Sequence, residues 1–248
     1  MARKPKDTAA SGEATVSVRD RIIDATMELA AEHSWNAFDI PEIADRAGVS
    51  LSEFRDAFPS KGAVLAGFAR RIDKIVLDGT SDDLDAEPAK ERLFDVFMRR
   101  LDALAPHREA IRRIMSALRA DPLSLAALNG VALNSMRFML CAARIDTGGP
   151  LGAIRTQGAA MVFARILDVW VRDDDPGLAR TMAKLDRELT NAGKTMGVIQ
   201  DVHRLTAPFR AIGARLLCGG GPFRVRERMR DGDRRRYEAG YGDEAAAI

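Results

Sequence analysis

The sequence predicts an all-α protein: a three-helix N-terminal unit of the helix-turn-helix kind, followed by a larger helical domain. Apolar residues recur at spacings of three and four along segments between residues 19 and 217, and no strand-like alternation interrupts them. Ala, Leu, Met and Arg dominate while aromatic residues make up 6% of the chain, a composition that favours helix over sheet. The breaks between segments fall on Gly, Pro and Asp clusters, where a helix has to end.

The first element follows from Ile22, Ile23, Ala25, Thr26, Met27, Leu29 and Ala30, which share a broad face with Asp24, Glu28 and Glu32 outside it. The spacing predicts a helix from Arg19 to about His33, after which Trp35 and Phe38 fill a corner. Two short helices follow, at roughly 40–47 and 51–57. Asp39 and Glu42 stand three apart, as do Ser50 and Glu53, and each pair has the spacing of a capping box. Between them lies Ala47-Gly48-Val49: a small residue for close approach, a glycine for the left-handed stop, a valine to plug the corner. Phe54 and Phe58, four apart, share the inward face. This is the pattern of a helix-turn-helix, whose second helix is shaped for the DNA major groove.

Pro59 breaks the chain, Ser60 recaps it, and Lys61 opens a helix to about Leu77 with Val64, Leu65, Phe68, Ile72, Ile75 and Val76 as its apolar stripe. Residues 78–90 are acidic and poor in apolar residues, and mark a domain boundary. Helices then follow around Leu93–Leu101 and Ile111–Leu118, and over 122–145, 151–171 and 178–196. They are separated by Gly148-Gly149-Pro150 and by the DDDPG at 173–177. A last helix, about 198–217, carries Leu205, Phe209, Ile212 and Leu216. The resulting domains are an arm at 1–18, the helix-turn-helix unit with its connecting helix at 19–77, a helical domain at 78–217, and an Arg-rich tail at 218–248. Arm and tail lack an apolar pattern and read as flexible and disordered.

Net charge is only +2, so global electrostatics do not announce a nucleic-acid binder. From Arg19 to Lys74 there are eight basic and ten acidic residues, a handicap for phosphate neutralisation. Cys141 and Cys218 lack metal-ligand spacing and suit a reducing cytoplasm. No apolar run approaches the ~18 residues that span a bilayer, and no secretory signal core follows the basic start. His33, His107 and His203 are scattered, and there is no phosphate loop or nucleophile motif. No enzyme, cofactor or metal site is expected.

The run from Ile22 to Phe68, above all EIADRAGVS and FPSK, resembles the TetR-type transcriptional regulators. The resemblance is close over roughly residues 19–70 and architectural beyond. It implies a ligand-responsive DNA-binding regulator, a repressor released from double-stranded DNA by a small apolar effector, working as a homodimer in the cytoplasm. By position it implies that Ser50, Leu51, Ser52 and Arg55 face DNA and that Lys61 contacts phosphate. A lysine at a helix start also favours an anion on physical grounds, because its charge adds to free backbone N–H groups. Where the family commonly has an aromatic and a histidine, this chain has Arg55 and Asp56. Met98, Met115, Met136, Phe138, Met139 and Met161 are the candidates for an adaptable apolar ligand cavity. By the same analogy the helices at 151–171 and 178–196 form the dimer seam.

An alternative is a second resemblance, to the lipid-binding proteins of coenzyme Q biosynthesis. These share the fold, hold an isoprenoid lipid without binding DNA, and touch membrane through an amphipathic last helix. TMAKLDREL at 181–189 and the stripe at 205–216 carry that reading.

Overall fold

The computed structural model describes residues 17–80 and 86–195. The arm up to residue 16, the segment 81–85, the predicted helix at 198–217 and the tail lie outside the described residues. Nine α-helices are present among those described: α1 (Val18–Glu32), α2 (Ile40–Ala47), α3 (Leu51–Ala57), α4 (Lys61–Asp78), α5 (Ala89–Leu104), α6 (Arg108–Ala120), α7 (Pro122–Ala142), α8 (Gly149–Trp170) and α9 (179–195). A single 3-10 turn, Ala105–His107, joins α5 to α6.

The N-terminal unit assembles as the sequence predicts. Ser17 caps α1, whose buried face is the seven residues from Ile22 to Ala30 named above. Both capping boxes form, with Glu42 Oε2 accepting the Asp39 N–H at 3.1 Å and Glu53 Oε2 accepting the Ser50 N–H at 2.8 Å. Gly48 ends α2 at φ 61°, a left-handed conformation that a side chain would strain. Phe54 and Phe58 are buried with ring centroids 6.5 Å apart. α4 crosses beneath them at Gly67, where an added Cβ would lie 2.7 Å from the Phe58 ring. Only a hydrogen fits there.

The connection at 78–90 separates two sets of helices in sequence, yet the apolar core runs across it from Ile22 to Leu189. α1 packs on α6, and α4 on both α5 and α7. α4 therefore belongs to both parts: Gly67 meets Phe58 at the exit of α3, and Asp73 meets α5 and α7. Ile75, assigned to the buried stripe from its spacing, is half exposed, because that stripe is completed by Ile72 and Val76.

At the far end, Arg108 donates to the carbonyls of Trp170 and Asp173, tying α6 to the end of α8. Asp173 accepts the Thr181 N–H at 2.9 Å and its hydroxyl at 2.7 Å, which anchors the start of α9. Arg165 of α8 and Lys184 of α9 both pair with Glu188, at 3.0 and 2.8 Å.

One sequence expectation needs correcting. α7 is 21 residues long and apolar enough to cross a membrane by length and composition. The apolar run escaped notice because Ser124, Asn129, Asn134, Ser135 and Arg137 interrupt it. The second half of α7 is packed in the core through Ser135, Met136, Met139 and Leu140. Its first half is largely exposed, with Leu123 at 83% and Leu125 at 53%.

Candidate nucleic-acid interface

The outward face of α3 is set by what pins its opposite side. Phe54 is buried and Phe58, just past its end, anchors the exit, so Ser50, Leu51, Ser52, Arg55 and Asp56 all face outward. Leu51 is 57% exposed, high for a leucine at the start of a helix. The structure brings four of the five predicted DNA-contacting residues onto one exposed surface.

Charge on that surface is distributed unevenly. Glu53 is held in its capping box by the Ser50 N–H and, at 2.8 Å, by the Ser50 hydroxyl. Those bonds hold its carboxyl below the usual carboxylate range, with the Ser50 N–H the largest cause. Its negative charge is directed at the helix start. Arg55 donates to the Pro59 carbonyl at 3.1 Å and stays exposed, so its guanidinium keeps donors for a phosphate or a guanine. Asp56 is exposed beside it.

Lys61 is placed differently from the sequence expectation. Its Nζ donates to the Trp35 carbonyl and, at 2.5 Å, to the Phe38 carbonyl. It also lies 4.1 and 3.7 Å from the centroids of those two rings. Burial pushes its pKa down, opposed by Asp39 and Glu42. The ammonium thus locks the α1–α2 corner to the start of α4. It is directed inward, and the exposed part of that helix start is Ser60 and Gly62.

Sequence reasoning missed two arginines at the head of α1. Arg19 donates to the Ala57 carbonyl at 2.5 Å and stacks 4.2 Å from the Phe58 ring centroid. Arg21 donates to the carbonyls of Ala47 and Gly48 at 3.3 and 3.2 Å. Each satisfies carbonyls left over at the end of a short helix. The only hint in the sequence was two basic residues preceding the first apolar stripe. Arg46 pairs with Glu32 at 2.8 Å, linking α2 to the end of α1.

The six cavity candidates differ in burial. Met136 and Met139 are core residues, Met98 and Met115 are half-buried, and Phe138 and Met161 are 48% and 50% exposed. Helical spacing marks a face without saying whether it turns to the core or to solvent. Two clefts elsewhere flank the N-terminal unit. One, of about 280 Å³, lies between α1 and α6 and includes Asp24, Glu28, His107 and Glu109. The other, of about 380 Å³, lies between the start of α4 and the α6–α7 corner, with Trp35, Lys61, Leu65, Leu118, Leu128 and Val131 in its walls. No group of acidic, His or Cys side chains suited to a metal ion occurs among the described residues.

Residues 22–67 match the profile of the family described as bacterial regulatory proteins, tetR family. The chain is 24% identical over 197 residues to the HTH-type transcriptional regulator AlkX of Mycobacterium tuberculosis, covering 77% of this chain and 84% of that one. Its fold is similar to the crystal structure of a TetR transcriptional regulator from Nitrosomonas europaea, with a TM-score of 0.56 and 26% identity. That match covers 71% of this chain and 98% of the other. A TetR transcriptional regulator from Rhodococcus sp. RHA1 shares the fold at TM-score 0.52 and 18% identity, over 70% of this chain and 94% of its own.

Proposed function

Because the chain belongs to the TetR family of bacterial regulatory proteins, we propose that it is a DNA-binding transcriptional regulator. In this reading it is a homodimeric repressor that leaves its operator when a small effector binds. The observation that carries the reading is the outward face of α3, where Ser50, Leu51, Ser52 and Arg55 stand clear of a helix capped at one end and pinned by Phe54 and Phe58 behind. Arg55 and the hydroxyls read bases or bind phosphate, and the exposed Ser60–Gly62 start of α4 offers an anion its backbone amides.

Dimerisation uses α8 and α9, on which Ile154, Met161 and Met182 are exposed apolar side chains. Pairing places two α3 helices on successive major-groove faces, about one DNA turn apart. Effector control requires only that a ligand prefer one arrangement of the two reading units over another. The apolar cleft of about 380 Å³ against α4 supports this, since an occupant there meets the helix that carries α3. Such a regulator works in the cytoplasm, with its DNA.

The lipid-carrier alternative has less behind it. Within 181–189, Leu185 and Leu189 are buried and Thr181 is engaged by Asp173, as in an ordinary packed helix. Its proposed membrane helix lies outside the described residues.

The test is selection of bound genomic fragments with the purified protein at moderate salt, followed by titration of the recovered sequence. A specific operator that Arg55→Ala weakens is the expected result. Binding that ignores sequence, or that is indifferent to substitutions at 50–55, overturns the reading.

A further inference from the structure

Asp73 of α4, Arg100 of α5 and Ser135 of α7 form a polar cluster inside the apolar core. Their exposures are 7%, 5% and 2%. Asp73 Oδ1 accepts from Arg100 Nη1 and, at 2.6 Å, from the Ser135 hydroxyl. The guanidinium lies 5.3 Å from the ring centroid of Phe163 on α8. Three helices thus meet at one carboxylate and α8 meets the guanidinium, with Ile72, Val76, Phe97 and Met139 buried on the same elements.

Stability does not account for this arrangement. A buried ion pair gains little over well-packed apolar side chains of the same volume, and Arg100 Nε has no hydrogen-bond partner. Directed polar contacts in a core are best attested as devices that specify register. Apolar side chains can slide and repack, whereas a carboxylate held by two donors from two helices accepts one position. The helix fixed here is α4, whose other end carries Gly67 against Phe58 and Lys61 against the α1–α2 corner.

We propose that Asp73, Arg100 and Ser135 are positioning residues for DNA recognition. They hold α4 in one register, and through it set the distance and angle between the two α3 helices of the dimer. They thereby decide which half-site spacing the protein accepts. This rests on the dimeric DNA-binding reading and adds to it the residues that determine spacing.

The experiment uses the full-length dimer, the operator recovered by genomic selection, and duplexes with the half-sites moved by one or two base pairs either way. The variant is Asp73→Leu/Arg100→Met/Ser135→Ala, which replaces the whole cluster by apolar groups and leaves no buried charge alone. Wild type is expected to lose about tenfold or more in affinity per base pair of displacement, because each step also rotates one half-site about the DNA axis. The variant is expected to keep its thermal midpoint and respond less than about threefold. A wild-type spacing preference in the folded variant, or an affinity loss uniform across all spacings, overturns the proposal. Where the triple variant does not fold, Ser135→Ala alone removes one of the two donors, and an unchanged spacing profile in it is equally fatal. Wild type binding no duplex removes the DNA-binding reading and this proposal with it, whereas wild-type binding with an unaltered variant removes the proposal alone.

Discussion

Lys61 Nζ sits 3.7 Å from the ring centroid of Phe38 and donates to the carbonyl of that same residue at 2.5 Å, gripping its ring and its backbone together. The lysine expected to contact phosphate is part of the scaffold. Lys61→Met keeps the stem and removes the donor from two carbonyls, so a stability loss of about 2 kcal/mol is expected in denaturant titration. Arg55→Ala is expected to do the reverse: an unchanged midpoint, with operator affinity down about tenfold. A Lys61→Met variant as stable as wild type would refute the clamp.

Glu53 separates capping from charge. Glu53→Gln retains an oxygen that accepts the Ser50 N–H and discards the negative charge beside the reading face. Thermal stability is expected to change little, while operator affinity at low salt rises about threefold. Glu53→Ala loses the cap as well, and the helix is expected to lose about 1 kcal/mol. Equal DNA affinity in Glu53→Gln and wild type at low salt would show that the capped carboxylate is not felt by the phosphates.

His107 makes stability depend on pH. Burial first, and then Arg71, holds its imidazole below the usual 6.5, with Asp24 opposing. Its ring meets Phe68 edge-on at 5.0 Å. Because the folded state resists the proton that the unfolded chain accepts, stability falls as pH drops through 6.5 to the folded value and then levels off. His107→Gln is expected to flatten that part of the pH–stability curve. The measurement is the unfolding midpoint between pH 7.5 and 5, and an identical slope in the variant would exclude His107 as the source.

Gly67→Ala brings a methyl group into the Phe58 ring where α4 meets the exit of α3. Overpacking of this kind typically costs about 1–3 kcal/mol. Calorimetry is the check, and a wild-type midpoint would mean that the ring has room to move.

Met161→Glu tests the dimer seam. The side chain is half exposed on α8 and contributes little to the fold of one chain. A charge there is expected to dissociate the homodimer in light-scattering chromatography while leaving the helical circular dichroism intact. A variant that remains dimeric would move the seam off this face of α8.

The short-range features were the legible ones. Capping boxes at 39–42 and 50–53, the Gly48 stop and the Phe54–Phe58 pair are encoded by residues within four positions of one another, and each took its expected form. What the sequence hid was long-range partnership. Lys61 finds carbonyls 23 and 26 residues away, and Asp73 finds Ser135 across 62 residues. Phe138 and Met139 are neighbours with opposite fates, one half exposed and one fully buried, because a helix turns 100° per residue and α7 is covered on one side in its second half. Spacing therefore identified the exposed helix of the helix-turn-helix, and it did not tell core from solvent along α7, where both compete for the same kind of residue.

The contact between Gly67 and Phe58 separates two kinds of variation. Leu51, Ser52 and Arg55 are exposed and can change without touching the joint, so under the proposed DNA-binding reading operator preference can shift one side chain at a time. Residue 67 has no such freedom, since anything larger than hydrogen displaces the ring that seats the end of α3. The outward face of α3 is thereby open to substitution while the joint beneath it is not.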